Sequence, residues 1–460
     1  MRRALRLLLA ACLLPVLTAG PAEAADPTLK PVPANAGKGW AASGAKGVID
    51  LAARGYVEEE YLMSGTANTY EQVGTWAEDG KWNMRVATTG NPYTTRMLVT
   101  RPSNPAKFNG TVVIEWLNVS FGVDIPVDLS QSHEHFLRSG AVVVGLTTQK
   151  GGADKLKSLD PGRYSGVNLS ADTLSYDIFS QAARAVRANP SLFGGWTPDV
   201  VLGTGHSQSA LRLTTYANAV QPVDRVYDGL MLHGRAALAA PIGDGVIGAL
   251  SAKIRTDLKE PVFVLQAETD VVFSSSVRQN TARVRTWEVA GTAHADQYGL
   301  DQYNAANARD KGINGGAPTY CDKPVNSMTF RYASNAAFDH LDRWARGGVA
   351  PPVASPILML GPIILRDSDQ NALGGLRLPD FDVPVAAYGP NNSGGNVAGA
   401  CGLLGTTTPF TAERLGQLYP DHEAYVTKFV AAAEKALDAG YLLKPDYEEA
   451  VERAEEADIP

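Results

Sequence analysis

The sequence predicts an α/β chain with a mostly parallel central sheet, helices on both of its faces, long C-terminal loops and a helical tail. Two observations carry that prediction. Continuous apolar runs bounded by Gly, Asn or Pro, the pattern of strands buried on both faces, recur from Thr111 to Val289. Between them lie stretches with helical spacing, and such alternation marks parallel strands joined by helical crossovers. At 460 residues with 45% apolar content, the chain can bury a large core. A net charge of -7, without a run of five like charges, leaves no footprint for nucleic acid and no polybasic membrane patch.

Taken in order, residues 1–24 read as an export signal. Arg2, Arg3 and Arg6 precede an apolar run from Leu7 to Leu17, and Ala22-Glu23-Ala24 supplies a small-residue cleavage site. The run is too short to span a bilayer, and no later stretch reaches about 18 apolar residues, so a secreted or periplasmic chain without an integral membrane segment is expected. Leu9-Ala10-Ala11-Cys12 also fits a lipoprotein cleavage box, a competing reading that would leave a very short apolar core. Residues 25–47, rich in Ala, Pro, Gly and Lys, are expected to be a linker, and 48–460 one elaborated domain.

Within that domain, the stretches from Tyr56 and Thr94 suggest an antiparallel opening, with KWNMRVATTG between them. GTVVIEWLN (Gly110 to Asn118) and GAVVVGLTTQ are buried strands separated by a helix near Ser132 to Arg138. In SADTLSYDIFSQAARAVRANP, Leu174, Ile178, Ala182 and Val186 recur every fourth residue; Ser170 is the expected N-cap and Pro190 lies beyond the end. The strand PDVVLGTG, the helix SALRLTTYANAV and the strands VYDGLMLHG, EPVFVLQAE and VRTWEVAG follow. ASNAAFDHLDRWARGG is a helix ending in a Gly pair; residues 345–460 are a C-terminal extension, with surface loops from Pro351 to Gly405 and then a helical tail. Residues 234–257, Ala- and Gly-rich, form either a lid or a connecting helix packed on the sheet.

Chemistry concentrates at VLGTGHSQSA. An α/β sheet presents its site at the carboxyl ends of its strands, and Ser207 falls on such a strand-to-helix turn. The turn must be sharp for the hydroxyl to project, hence the small residues Gly205 and Ser209 two positions to either side. A serine is a weak nucleophile that needs a base held by a third group, found in this architecture in the order Ser, acid, His. His294, in the loop after VRTWEV, is the expected base; His340 and His422 fall in helices. The acid is Asp270 or, as the alternative, Glu268, both following VFVLQA. For the oxyanion, the backbone amide of Gln208 and one from the loop holding Asn118, Val119 or Ser120 are expected. His206 and His233, at strand ends, are expected to line the substrate pocket.

With these residues in place, the chain resembles the α/β-hydrolase superfamily, and more narrowly the exported bacterial "alpha/beta hydrolase domain-containing" group. The segments that carry the likeness are EWLNVS, GTGHSQSALRLTTYANAV, VFVLQAETDVV, VAGTAHAD, YCDKPVNSM and HLDRWARGG, in that order. Ser209 departs from the second glycine of the usual G-x-S-x-G pattern. The resemblance implies the α/β-hydrolase fold and a Ser-acid-His hydrolase acting on a small-molecule or polymeric ester, with no metal or organic cofactor. An acyltransferase or peptidase with the same triad, or a non-catalytic secreted binding protein on this fold, are the competing readings.

Removal of residues 1–24 leaves Cys321 and Cys401, an even pair that suggests one disulfide in an oxidising compartment, or else two separate thiols. His133, Glu134 and His135, with Asp124 and Asp128 upstream, could suggest a metal, but His-x-His on a helix points the rings to different sides. Asn118, Asn168 and Asn391 each begin an Asn-x-Ser sequon.

Overall fold

Runs that are apolar on both faces become the inner strands. The computed structural model describes residues 26–245, 248–311, 321–395 and 399–459. The export signal expected over 1–24, with Cys12, lies outside the described residues. Among them, the central sheet has nine strands: β1 (Thr28–Pro31), β2 (Tyr56–Val73), β3 (Asn83–Pro102), β4 (Thr111–Trp116), β5 (Val142–Leu146), β6 (Val200–His206), β7 (Gly229–His233), β8 (Val262–Ala267) and β9 (Val284–Val289). Their order across the sheet is β1-β2-β3-β5-β4-β6-β7-β8-β9. β1, β2 and β3 pair antiparallel, as do β3 and β5; all pairs from β5 and β4 through to β9 are parallel. Every residue of β4 to β9 is buried, so this half of the sheet needs cover on both faces.

The cover comes from helices α1 (Val127–Ser139), α2 (Lys150–Leu159), α3 (Ser175–Ala188), α4 (Gln208–Thr215), α5 (Glu268–Ser274), α6 (Gln297–Lys311) and α7 (Phe330–Ala345), and from tail helices α8 (Ala412–Leu418), α9 (His422–Asp438) and α10 (Lys444–Glu455). Strand alternation divides the side chains between two cores. Val112, Ile114 and Trp116 join Phe179 and Ala182 of α3 and Leu213 of α4 in one core. Val113 joins Phe136 of α1, Phe338 of α7 and Phe429 of α9 in the other. Each such large apolar side chain, fully buried, stabilises by about 1.5–3 kcal/mol, so the tail is an integral layer.

Several elements differ from expectation. Part of the expected linker is sheet: Leu29 and Lys30 of β1 pair with Met63 and Leu62 of β2, and Ser43 donates its backbone N–H to Asp310 at 2.6 Å. Ser170 does not cap α3, which starts at Ser175 after a short turn. Asp172, within that turn, accepts from the Lys150 N–H and pairs with Arg212, which holds the segment away from the helix axis. The tail breaks between α8 and α9, where Pro420 cannot donate and Asp421 accepts from the Ala424 N–H at 2.8 Å. The described residues of 351–405 are no open set of surface loops, because Leu376, Leu378 and Phe381 are buried and Leu376 bridges to Val289 of β9. The described residues of 234–257 form no helix; Ala239 and Ala249 bridge, and Ala240 N–H bonds the Leu211 carbonyl beside α4.

Candidate active site

Strand β6 runs into α4 through one residue, Ser207, whose φ of 60° and ψ of -120° lie where a side chain is strained. The surroundings enforce it. A Cβ added to Gly205 would come within 3.0 Å of the Ser209 Cβ and 3.1 Å of Leu213 Cδ1, so a side chain at 205, or a larger one at 209, would open the turn. Ser209 is fully buried and donates to the Leu117 carbonyl at 3.3 Å, a bond that a glycine there would lack. The Ser207 N–H donates to the His233 carbonyl at 2.9 Å, so the sheet ladder holds the turn to its last residue.

From this elbow the Ser207 Oγ lies 2.9 Å from Nε2 of His294, and His294 Nδ1 lies 2.5 Å from Oδ1 of Asp270. Asp270 sits in the first turn of α5, nearly buried, and its other oxygen accepts from the Ala267 N–H at 2.8 Å. Glu268, the alternative acid, faces elsewhere. Its carboxylate accepts from the Gly291 N–H at 2.7 Å and pairs with Arg366 at 2.6 Å, bracing the histidine loop from below. Burial raises the Glu268 carboxyl above its usual range, against the opposing pull of Arg366 and of the Gly291 amide.

The expected oxyanion loop sorts itself by its own hydrogen bonds. Asn118 spends its N–H on the Ile125 carbonyl, its Nδ2 on the His206 carbonyl at 3.0 Å, and its Oδ1 on the Ser120 N–H at 2.7 Å. The amides of Asn118 and Ser120 are thus committed, which corrects the expectation of Asn118 as a backbone donor. The Val119 and Gln208 amides have no hydrogen-bond partner among the described residues.

His206 and His233 do not line a cleft. They are 5% and 2% exposed; the His206 ring packs at a tilt against His294, centroids 4.4 Å apart, and meets the His233 ring edge-on at 4.5 Å. As partners in the β6–β7 register they share one side of the sheet, and there His233 Nδ1 bonds Asp128 at 2.8 Å. The cluster around His133 is equally engaged: Glu134 pairs with Arg331, Asp124 with Arg96, and His133 contacts Tyr298. Burial pushes His135 down to about 3. Among the described residues no group of three or more His, Cys, Asp or Glu could hold a metal ion. Asn118 is buried as a sequon, whereas Asn168 and Asn391 are exposed.

Residues that the sequence did not single out close the histidine loop. Asn326 donates Nδ2 to the Gly291 carbonyl at 2.8 Å, and its own carbonyl accepts from the Gln297 N–H at 2.8 Å. Ala295 N–H bonds the Leu403 carbonyl, and Asn326 N–H the Leu404 carbonyl. Cys401, two residues before Leu403, forms a disulfide with Cys321, with Cα atoms 5.7 Å apart. Polar residues in Gly-rich loops carry no periodic signal, so only the folded contacts reveal these roles.

Among solved structures, the chain is similar to an α/β serine hydrolase without lid from Xanthomonas campestris, at 14% identity over 48% of this chain and 88% of that one, with a TM-score of 0.30. It is similar to fungal esterases from Rhizomucor miehei, at 12% identity over 64% and 85%, TM-score 0.37. A thermostable esterase from Pseudomonas putida matches at 14% identity over 59% and 85%, TM-score 0.32. No curated protein matches the chain. No described helix is long and apolar enough to cross a membrane. The family described as "Alpha/beta hydrolase domain" matches residues 28–452, nearly the whole chain, and the chain belongs to that family.

Proposed function

We propose that the chain is a secreted serine hydrolase that cleaves carboxylic ester bonds by way of an acyl-enzyme. The observation that carries the reading is the unbroken line Ser207–His294–Asp270, at 2.9 and 2.5 Å, mounted on a strained elbow. Ser207 Oγ attacks the ester carbon as His294 Nε2 takes its proton, and Asp270 holds the ring and the positive charge it acquires. The carbonyl oxygen becomes an oxyanion, which the Gln208 and Val119 amides are free to receive. Collapse of the intermediate breaks the bond to the alkoxy oxygen, and the His294 proton leaves on the alcohol. Water then repeats the sequence, giving the acid and restoring Ser207. Export is supported by the apolar N-terminal segment and by the disulfide, which belongs in an oxidising compartment.

The test is turnover of p-nitrophenyl esters and of a matching anilide, together with labelling by an organophosphonate. Ser207→Ala is expected to abolish labelling and lower kcat about 10⁴-fold or more, with Asp270→Asn losing about 10⁴-fold, at unchanged circular dichroism. Full ester turnover by Ser207→Ala would overturn the reading, and faster anilide than ester turnover would make the chain a peptidase.

A further inference from the structure

We propose that His206, the residue before the nucleophile, is a positioning residue that ties together the three loops of the site and sets the pose of His294 against Ser207. The inference rests on the triad reading above. His206 Nε2 lies 3.1 Å from the backbone carbonyl of His294, and an imidazole nitrogen facing a carbonyl oxygen must be the donor. The backbone carbonyl of His206 accepts from Asn118 Nδ2 at 3.0 Å. One residue therefore joins the elbow, the histidine loop and the loop whose Val119 amide is free. The His294 N–H bonds Thr269 Oγ1 at 3.2 Å and the next amide, Ala295 N–H, bonds the Leu403 carbonyl, so the His206 ring is what holds the His294 carbonyl itself and ties it to the elbow.

The packing shows a space built for this ring. Gly234, at φ +64°, approaches so closely that an added Cβ would fall 3.0 Å from His206 Nε2 and 3.1 Å from His294 Cε1. A side chain at 234 would push the two imidazoles apart. Charge gives the arrangement a second use. Burial, with His294 and His233 alongside, holds the His206 imidazole well below its usual range, so it stays neutral. His294 must become a cation during the attack, and a charged ring 4.4 Å away would oppose that step. A neutral ring that donates only to a carbonyl fixes the base without raising the cost of charging it.

The test uses the full chain, p-nitrophenyl acetate and an organophosphonate probe. His206→Phe keeps the ring and removes the donor, whereas His206→Gln keeps a donor at comparable reach. We expect His206→Phe to lower kcat about 10- to 100-fold with KM within about twofold, and phosphonylation of Ser207 to slow by the same factor, because misplacement of a catalytic group by up to about 1 Å costs rates of this size. His206→Gln should recover kcat to within about fivefold of the parent. Equal losses in both variants would mark a packing role alone and overturn the proposal, as would a His206→Phe protein of parental kcat. Should His206→Phe fail to fold, ¹⁵N-histidine NMR of the parent decides: a neutral Nε2–H tautomer from about pH 5 to 8 is expected, and a ring that titrates in that window overturns it. Ser207→Ala run alongside separates the two failures. If it retains turnover, the triad reading falls and this inference with it; if it is dead while His206→Phe is unimpaired, only the role of His206 falls.

Discussion

Ser207 is held by the strand and helix that flank it and by the adjoining strands of the sheet, and His294 by loops as distant in the chain as Leu403. The elbow needs Gly205, Ser209 and the β6–β7 ladder, all within or beside the strand and helix that flank it. The histidine loop instead takes its bonds from Thr269 and Glu268, then from Asn326, Leu403 and, through Glu268, Arg366. The comparison teaches that the Ser207 turn is built on the sheet itself, whereas the His294 loop is clasped in part by the C-terminal extension.

Removing the disulfide tests that division most severely. Replacing Cys321 and Cys401 by Ser opens a closed loop of 80 residues and should cost about 4 kcal/mol on the loop-entropy account, read by denaturant unfolding. Beyond that global loss, amide exchange by local opening should rise more over 291–297 than over 207–215; an equal rise in both segments would break the comparison. Glu268→Gln removes one partner of a buried ion pair, and Arg366 is itself only partly exposed, so about 3 kcal/mol of stability should go while kcat on the proposed ester substrates falls far less than in Asp270→Asn. A loss of turnover as large as that of Asp270→Asn would make Glu268 part of the chemistry.

The smallest expected effect is a pH slope. Asp296, two residues after His294, is raised by burial above the usual carboxyl range, against the Gly299 and Gln131 bonds that favour its charge, and its Oδ2 has no partner among the described residues. A carboxyl whose folded value is raised gives its full contribution below the ordinary range and loses it as pH climbs through the folded value. Asp296→Asn cannot titrate and should gain on the parent as pH rises out of the ordinary carboxyl range near about pH 4, read as the difference in thermal midpoints. A difference that stays constant with pH would place the burial cost elsewhere.

The same division explains what could be read in advance. Parallel strands, the elbow and the Ser-acid-His order were legible because each is written in adjacent residues or in chain order. Asp270 and Glu268 stood two positions apart with the same chemistry, and Arg366, 98 residues after Glu268, separates their environments. Pocket-lining roles for His206 and His233 failed because the position of a strand end gives no sign of which face its ring occupies. Asn326 lies in YCDKPVNSM, a segment of the family likeness, but nothing there marks its role, since its partners are backbone groups at Gly291, Gln297 and Leu404.

One consequence concerns time. A chain is made from its N-terminus, and domains fold as their residues arrive. The elbow has its backbone partners once β7 has emerged, but the loop of His294 takes a bond from as far along the chain as Leu403. About 170 residues therefore separate the point at which the serine turn has its partners from the point at which the histidine loop has its own, the difference between His233 and Leu403.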